Sequence, residues 1–356
     1  PAPVTSTVLF FMAGQRSAGR PQKIGGNVHL APNPLAMHYR AILIPAAWAA
    51  APLLWAQSSA IKPAPDWRIG DKREVQVNTE MKITVDSTTV NTRMNSTYVL
   101  KVYVARKDRY ELLVHNTVVG VPEMLVDAGH EGKGPAVLDQ TGTVAITLAR
   151  AAYKPLSEWG VLYELDRSGK LLGRVEKKDE KAELTAAMQR SVNDALSMMG
   201  DAPSIPDARI YFFVDSLYDT FVETQPNRLR SILGMYTTEF PPKGSLRQPA
   251  MVQDIQVPLR PDLPDLPAMV EVGLDKNDAT ELVGRTITTY NPDALHAALV
   301  KSFGNLRREG LFVDEERVDR FNKRTTWPAS SVEVIRFRSN VVQMDVTVRT
   351  ELKPIK

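Results

Sequence analysis

Polar and apolar residues alternate with a period of two along the first part of this chain. The alternation runs through 74–85, returns at 90–104 and, after the polar stretch 106–109, continues over 110–114. A period of two with one apolar face predicts a three-stranded antiparallel meander within 66–119. These strands are longer than the usual length of about five or six residues, and long strands twist and coil strongly. We therefore expect a curved sheet or part of a barrel.

The middle of the chain changes from strand-like to helix-like patterns. Two hairpins are predicted, at 137–148 and 159–176, because in each case two apolar runs flank a polar loop that ends in Gly. Helices are predicted over 179–199, from Asp207 to an interruption at Pro226, and over 229–236. Each has a stripe of apolar residues along one face. Core packing is the default explanation for these stripes, and a partner-binding groove is the alternative.

Proline dominates residues 241–268, which include the run Pro-Leu-Arg-Pro-Asp-Leu-Pro-Asp-Leu-Pro. Proline stiffens such a stretch and blocks sheet pairing. We therefore expect a linker or an extended strap rather than a polyproline ligand for another protein. The patterns beyond it predict a strand, a helix, a short helix and a hairpin, over 279–290, 291–303, 314–323 and 331–352 respectively.

These patterns together predict an α+β fold. We expect a long-stranded curved antiparallel sheet, half-barrel or barrel-like, with helices packed on one face. The strands at both ends allow either one sheet closed by its first and last segments or two related halves. The expected segments are a disordered, non-native N-terminal extension (1–36), a signal peptide (37–60), the meander plus helices (61–240), the Pro-rich strap or linker (241–268), and an α+β segment that completes the sheet or forms a second half (269–356).

Residues 37–60 have the three parts of a secretion signal: a basic start, the uncharged apolar run 41–56, and small residues around a cleavage site. A membrane-spanning helix needs about 20 apolar residues, whereas this run is shorter and contains two prolines. We therefore expect cleavage after Ala56 or Ala60 and no stable membrane span afterwards. An uncleaved anchor is the alternative.

The segment before this cleavage site carries the excess positive charge. The whole chain has 44 Lys and Arg against 41 Asp and Glu, a net charge of +3. Residues 1–56 hold four basic residues and no acidic one, which leaves 40 basic and 41 acidic groups. Nucleic-acid binding needs clustered positive charge, so no nucleic-acid partner is expected. The simplest interpretation of 1–36 is an over-extended reading frame, in which case the native protein starts at Met37. A functional basic arm is the alternative.

The sequence offers little recognisable chemistry. It contains no cysteine, which removes disulfides, thiol nucleophiles and thiolate metal sites, and also a bacterial lipoprotein anchor. The Gly-rich stretch 127–134 brings together Asp127, His130 and Glu131. Such groups bind metals, but polar flexible loops also collect them.

Other titratable residues are equally inconclusive. His115 and His296 have no partner at a ligand-like spacing, and Asp215 and Asp219 fit a solvated helix face. We therefore select no catalytic, cofactor-binding or metal-binding residue and expect no cofactor. A triad or carboxylate pair assembled from distant positions leaves no sequence motif, so an enzyme is the less expected class of protein here.

The start of the meander, Trp67-Arg-Ile-Gly70-Asp71-Lys72 followed by Thr-rich alternating strands, resembles exported bacterial proteins of the Gram-negative type whose function is uncharacterised. In those proteins a Gly-Asp-Lys-like turn introduces a β-meander. The resemblance covers 66–119 and implies a periplasmic or extracellular location. It implies no catalytic residues.

Two functions fit these expectations. A periplasmic binding or carrier module would hold an apolar or lipid-like ligand between a coiled sheet and its helices, where ligands commonly bind. A cell-envelope structural or interaction protein would contact an envelope partner through an exposed sheet edge or through 241–268. A hydrolase without a recognisable motif is the third possibility.

Overall fold

The computed structural model describes residues 60–85, 88–118, 123–127, 140–199, 206–252, 265–300 and 306–355. The predicted extension 1–36, nearly all of the predicted signal 37–60 and most of the loop 127–134 lie outside these residues. Ser58–Lys356 form one compact unit. That unit is a curved, long-stranded antiparallel sheet with helices on one face, which confirms the predicted fold class.

Twelve strands and four helices make up the described part of the chain. The strands are β1 (Lys72–Val85), β2 (Thr88–Ala105), β3 (Arg109–Val118), β4 (Glu123–Asp127), β5 (Gly160–Asp166), β6 (Leu171–Val175), β7 (Ser245–Val252), β8 (Leu266–Asn277), β9 (Glu281–Tyr290), β10 (Phe312–Asn322), β11 (Trp327–Arg338) and β12 (Val342–Pro354). The helices are α1 (Gln140–Glu158), α2 (Glu180–Met198), α3 (Asp207–Leu233) and α4 (Pro292–Leu299), and a 3₁₀ turn (Gly234–Tyr236) follows α3. None of the helices in this part of the chain is long and apolar enough to cross a membrane.

All the strands belong to one antiparallel sheet. Its order is β6-β5-β3-β2-β1-β12-β11-β10-β9-β8-β7, and β4 pairs with the other end of β2. The first and last strands lie side by side, with Val75 opposite Leu352 and Val85 opposite Val342. The C-terminal strands therefore extend the sheet that the meander begins. The sheet is not closed, because β6 and β7 are its two described edges.

The helices lie on one face of the sheet, which we call the inner face. The first of two core clusters joins α1, α2 and α3 to the inner residues of β1, β2, β3 and β5. Residues of β8–β11 contribute to the same cluster, among them Leu282 and Trp327. The second cluster lies toward the other ends of the strands and includes Leu295 and Leu299 of α4. Two apolar layers thus cover opposite ends of one inner face.

An aromatic group around Trp67 joins the two halves of the chain. The indole of Trp67 stacks on Trp327 of β11 with ring centroids 4.2 Å apart, and it also contacts Tyr110 of β3 and Tyr236 after α3. Its Nε1 donates to the carbonyl of Thr326 at 3.2 Å. The turn that introduces the meander is therefore anchored to early strands, late strands and helices together.

The predicted meander is confirmed by β1–β3, and the predicted hairpin 159–176 by β5 and β6. The hairpin predicted at 137–148 is wrong, because α1 covers Gln140–Glu158. Thr, Val and Ile at 143–147 favour strands locally. However, Leu148, Ala152 and Leu156 recur every four residues and are buried, so packing of this face decides for a helix.

Two further predictions about helices are corrected. Pro226 does not interrupt the second helix, since α3 is continuous from Asp207 to Leu233. Buried Gln225 and Leu229 flank the proline, and their packing keeps the helix together despite the lost backbone hydrogen bond. The short helix predicted over 314–323 is instead strand β10, whose charged residues occur on both faces and hide the period of two.

The Pro-rich region contributes a strand. Ser245–Val252 forms β7 and pairs with β8, with Pro249 opposite Met269. Proline is tolerated here because β7 is an edge strand, where a missing N–H group costs no ladder bond. The last residues of the predicted strap, 266–268, begin β8, and 253–264 lie outside the described residues.

Candidate functional site

A strip of half-buried apolar side chains crosses the inner face between the two core clusters. Its residues, which we call the inner strip, are Val77, Met81 and Ile83 of β1, Met94 of β2 and Val348 of β12. The side chain of Val77 packs against the first cluster, and those of Met81, Ile83 and Val348 pack against the second. The described helices therefore leave part of this apolar surface accessible.

Charged residues lie beside the inner strip on β10 and β11. Glu315, Arg317 and Asp319 alternate along β10 and so point to the inner face together. Glu333 of β11 lies opposite Arg317, and one strand further along the sheet it neighbours Val348. The hydroxyl of Tyr290 donates to Glu315 at 3.1 Å. We call these five residues, Tyr290, Glu315, Arg317, Asp319 and Glu333, the carboxylate cluster.

Arg317 connects the carboxylate cluster to a helix. Its Nε and Nη2 donate to the two carboxylate oxygens of Asp319 at 2.7 and 2.8 Å, and both side chains are largely buried. The same guanidinium donates to the hydroxyl and the carbonyl of Ser231, in the last turn of α3. A cation is favourable there because unpaired carbonyls and the helix dipole make that end negative. The charge of Asp319 raises the pKa of Arg317 despite its burial.

Glu333 is the least favourably placed charge of the cluster. Burial and the neighbouring carboxylate of Glu315 raise its pKa to about 7, while Arg317 opposes part of that rise. A proton shared between two adjacent carboxyl groups explains such a shift, since both cannot ionise at low cost. The pair therefore changes its charge close to neutral pH.

The raised pKa of Glu333 predicts that the stability of the fold depends on pH. Folded Glu333 holds its proton up to about pH 7, whereas in the unfolded chain it ionises near about pH 4. Between these values the folded state binds more protons, so the contribution of Glu333 to stability falls as the pH rises. Glu333→Gln should therefore stabilise the protein by roughly 1–3 kcal/mol more at pH 8 than at pH 5.

Urea unfolding of both proteins at the two pH values measures this difference. Glu351→Gln, on the exposed outer side of β12, is the control and should show no comparable dependence on pH. An equal effect of Glu333→Gln at pH 5 and pH 8 would contradict the assignment.

The opposite, outer face carries an open groove of about 350 Å³ over β7, β8 and β9. Its lining mixes apolar residues with paired polar ones: Ser245 donates to Glu271 at 2.6 Å, and Arg285 pairs with Glu316 at 3.0 Å. Because these groups satisfy one another, the groove does not resemble the apolar cavity expected for a carrier.

The structure assigns ordinary roles to the histidines considered from the sequence. His115 lies on β3 against Gly160, where a Cβ atom would approach its ring to 2.6 Å. Burial and nearby lysines lower its pKa, so it is neutral. His296 contacts the carbonyl of Leu306 at 3.1 Å. Neither side chain belongs to the inner strip or to the carboxylate cluster.

The remaining sequence candidates do not form a site either. Asp215 and Asp219 do not simply face solvent, because Lys181 of α2 bridges them at 2.9 and 2.8 Å and so links two helices. His130 and Glu131 lie outside the described residues. Within the described ranges, no group of three or more His, Asp or Glu side chains is placed to hold a metal ion.

Sequence reasoning missed the carboxylate cluster. Its members come from three strands, and no fixed spacing connects them. One signal was present: Glu333 occupies an inward position of an alternating strand, where an apolar residue is expected.

The fold and the inner face define an open, curved α+β sheet with an amphipathic inner surface. No family model and no curated protein matches this chain. Among solved structures, one on lipid-protein interactions in lipovitellin is 8% identical with a TM-score of 0.39, and the match covers 81% of this chain and 25% of that chain. An outer membrane channel from Pseudomonas putida F1 is 6% identical with a TM-score of 0.19, over 82% of this chain and 98% of that chain. The chain thus spans about a quarter of the lipovitellin chain. At TM-scores this low, the likenesses carry no argument about function.

Proposed function

We propose that this protein is a binding or carrier module for an apolar or lipid-like ligand, which lies along the inner strip. The main observation behind this proposal is that Val77, Met81, Met94 and Val348 keep accessible apolar surface between the two buried core clusters. Apolar surface that is left accessible beside charged groups is typical of ligand grooves. The proposal includes export to the periplasm or cell exterior, which the apolar run 41–56 and the opening of the meander support.

The carboxylate cluster specifies the kind of ligand further. Glu315, Glu333 and Arg317 border the inner strip on one side only, so an apolar body and a polar group would meet different parts of one surface. An amphiphile suits such a surface, because its apolar part can lie on the inner strip while its polar part stays in polar surroundings. The proposed ligand is therefore amphiphilic.

The test uses the full chain and a pyrene-labelled fatty-acid methyl ester as an uncharged probe. Wild-type protein should bind the ester at one site, and native mass spectrometry should show a co-purified apolar ligand. Met94→Gln places a polar group in the inner strip without shortening the side chain and should weaken ester binding about tenfold. Asn95→Gln, exposed on the outer face of the same strand, is the matched control.

Absence of both ester binding and a co-purified ligand would overturn the proposal. Co-purification of a stoichiometric protein instead would favour the second function, an envelope interaction protein. That function has its own support in the structure, since no described strand covers the outer edge of β7 and its Leu246 and Met251 are exposed.

A further inference from the structure

A second polar site lies on the inner face beside the inner strip, where α3 meets β2 and β3. The hydroxyl of Tyr98, which is only 4% exposed, accepts a hydrogen bond from Nη1 of Arg228 at 2.8 Å. Asn116 lies directly opposite Tyr98 on the neighbouring strand. Burial raises the pKa of Tyr153 on α1, and the positive charge of Arg228 opposes that rise. Tyr153 therefore lies near the guanidinium. Four polar side chains from four elements therefore converge.

Two buried side-chain amides, one on β3 and one on α3, have polar atoms without a hydrogen-bond partner in the described part of the chain. Asn116 is 1% exposed, yet among the described residues neither its Oδ1 nor its Nδ2 has a hydrogen-bond partner. Gln225, one turn before Arg228 on α3, uses its Oε1 to accept from Tyr163 at 2.7 Å but leaves its buried Nε2 unpaired. An unpaired buried polar group costs about 1–3 kcal/mol, and native proteins rarely leave several together. These groups are placed to bind something else.

The charge at this site points to an anion. Arg228 is exposed, and within the described part of the chain it forms no ion pair with a carboxylate. A guanidinium held by a tyrosine, beside amide N–H groups, matches the hydrogen-bonding needs of a carboxylate or phosphate. The carboxylate cluster has the opposite character, because its arginine is already paired with Asp319.

The site also continues into the inner strip. Tyr98 faces Val75 across β1 and β2, and the next inner residue of β1, Val77, is the first member of the strip. We infer that Arg228, Tyr98, Tyr153 and Asn116 bind the anionic headgroup of an acidic amphiphile, while its apolar chain extends along the inner strip. This inference rests on the proposed function and names the class of its ligand.

The experiment compares a pyrene-labelled fatty acid with its methyl ester on the full-length protein. The acid should bind wild-type protein at least about tenfold more tightly, as a charge-assisted hydrogen bond implies. Arg228→Gln should reduce this ratio to about one, chiefly by weakening binding of the acid. Tyr98→Phe, which removes only the hydroxyl that orients Arg228, should reduce the ratio about three- to tenfold.

Arg230→Gln is the matched control, since Arg230 is exposed on the same helix and bonds to Asn227. A lysophosphatidic acid of the same chain length forms the third arm. A preference for it over the fatty acid identifies the headgroup as a phosphate, and the reverse identifies a carboxylate. Circular dichroism confirms that each variant is folded.

The outcomes distinguish a failure of the proposed function from a failure of the headgroup assignment. If wild-type protein binds neither acid nor ester, the proposed function fails. If it binds both equally, or if Arg228→Gln keeps the preference for the acid, only the headgroup assignment is overturned. In that case ordered water is the simplest partner for the Asn116 amide.

Discussion

Trp67→Ala should lower the free energy of unfolding by about 3–5 kcal/mol, the usual cost of removing a fully buried large aromatic side chain. Trp67 is 3% exposed and lies among Tyr110, Tyr236 and Trp327. Its removal leaves a cavity between rings that cannot all move inward, because they belong to a strand of the first half, a turn after α3 and a strand of the second half. The hydrogen bond to the Thr326 carbonyl is lost as well.

Urea unfolding followed by circular dichroism measures this loss. Tyr103→Ala is the control, because Tyr103 is 55% exposed on the outer side of β2 and its removal should cost less than about 1 kcal/mol. Similar stabilities of the two variants would show that the aromatic group does not hold the halves together.

The long strands were predictable because their two faces differ. In β1 the residues Val75, Val77, Met81 and Ile83 lie on the inner face, while Gln76, Asn78, Glu80 and Lys82 are polar and face outward. A period of two in polarity arises from this difference and from nothing else. The same reason explains the success with β12, which pairs with β1 along its whole length.

Strand β10 was mistaken for a helix where that difference disappears. Its inward residues Glu315, Arg317 and Asp319 are as polar as its outward ones, so no face is marked as buried. The error and the candidate site have one cause. Charged residues occupy the inner face of β10, and this removes the alternation of polar and apolar residues by which a strand is recognised. The failed prediction for β10 therefore falls on the carboxylate cluster, which borders the proposed ligand surface.

The candidate sites themselves could not be predicted from a single sequence. Tyr98 and Arg228 are 130 positions apart and meet only because α3 crosses β2. The unpaired state of the Asn116 amide depends on what surrounds it, which no spacing rule records. Polar residues in alternating strands are common, and only the structure shows which of them are buried without partners.

Arg317→Met should lower the free energy of unfolding by about 3–5 kcal/mol, because it leaves the buried carboxylate of Asp319 without its countercharge. The loss has a second part, since the Ser231 hydroxyl and carbonyl at the end of α3 lose their donor. Asp319→Leu added to this variant should restore part of the stability, since an apolar pair of similar size replaces a buried ion pair at little cost. Urea unfolding of both single variants and the double variant gives the coupling energy. A double variant no more stable than Arg317→Met would place the main role of Arg317 at the helix end rather than in the ion pair, whereas an unaffected Arg317→Met would contradict both roles.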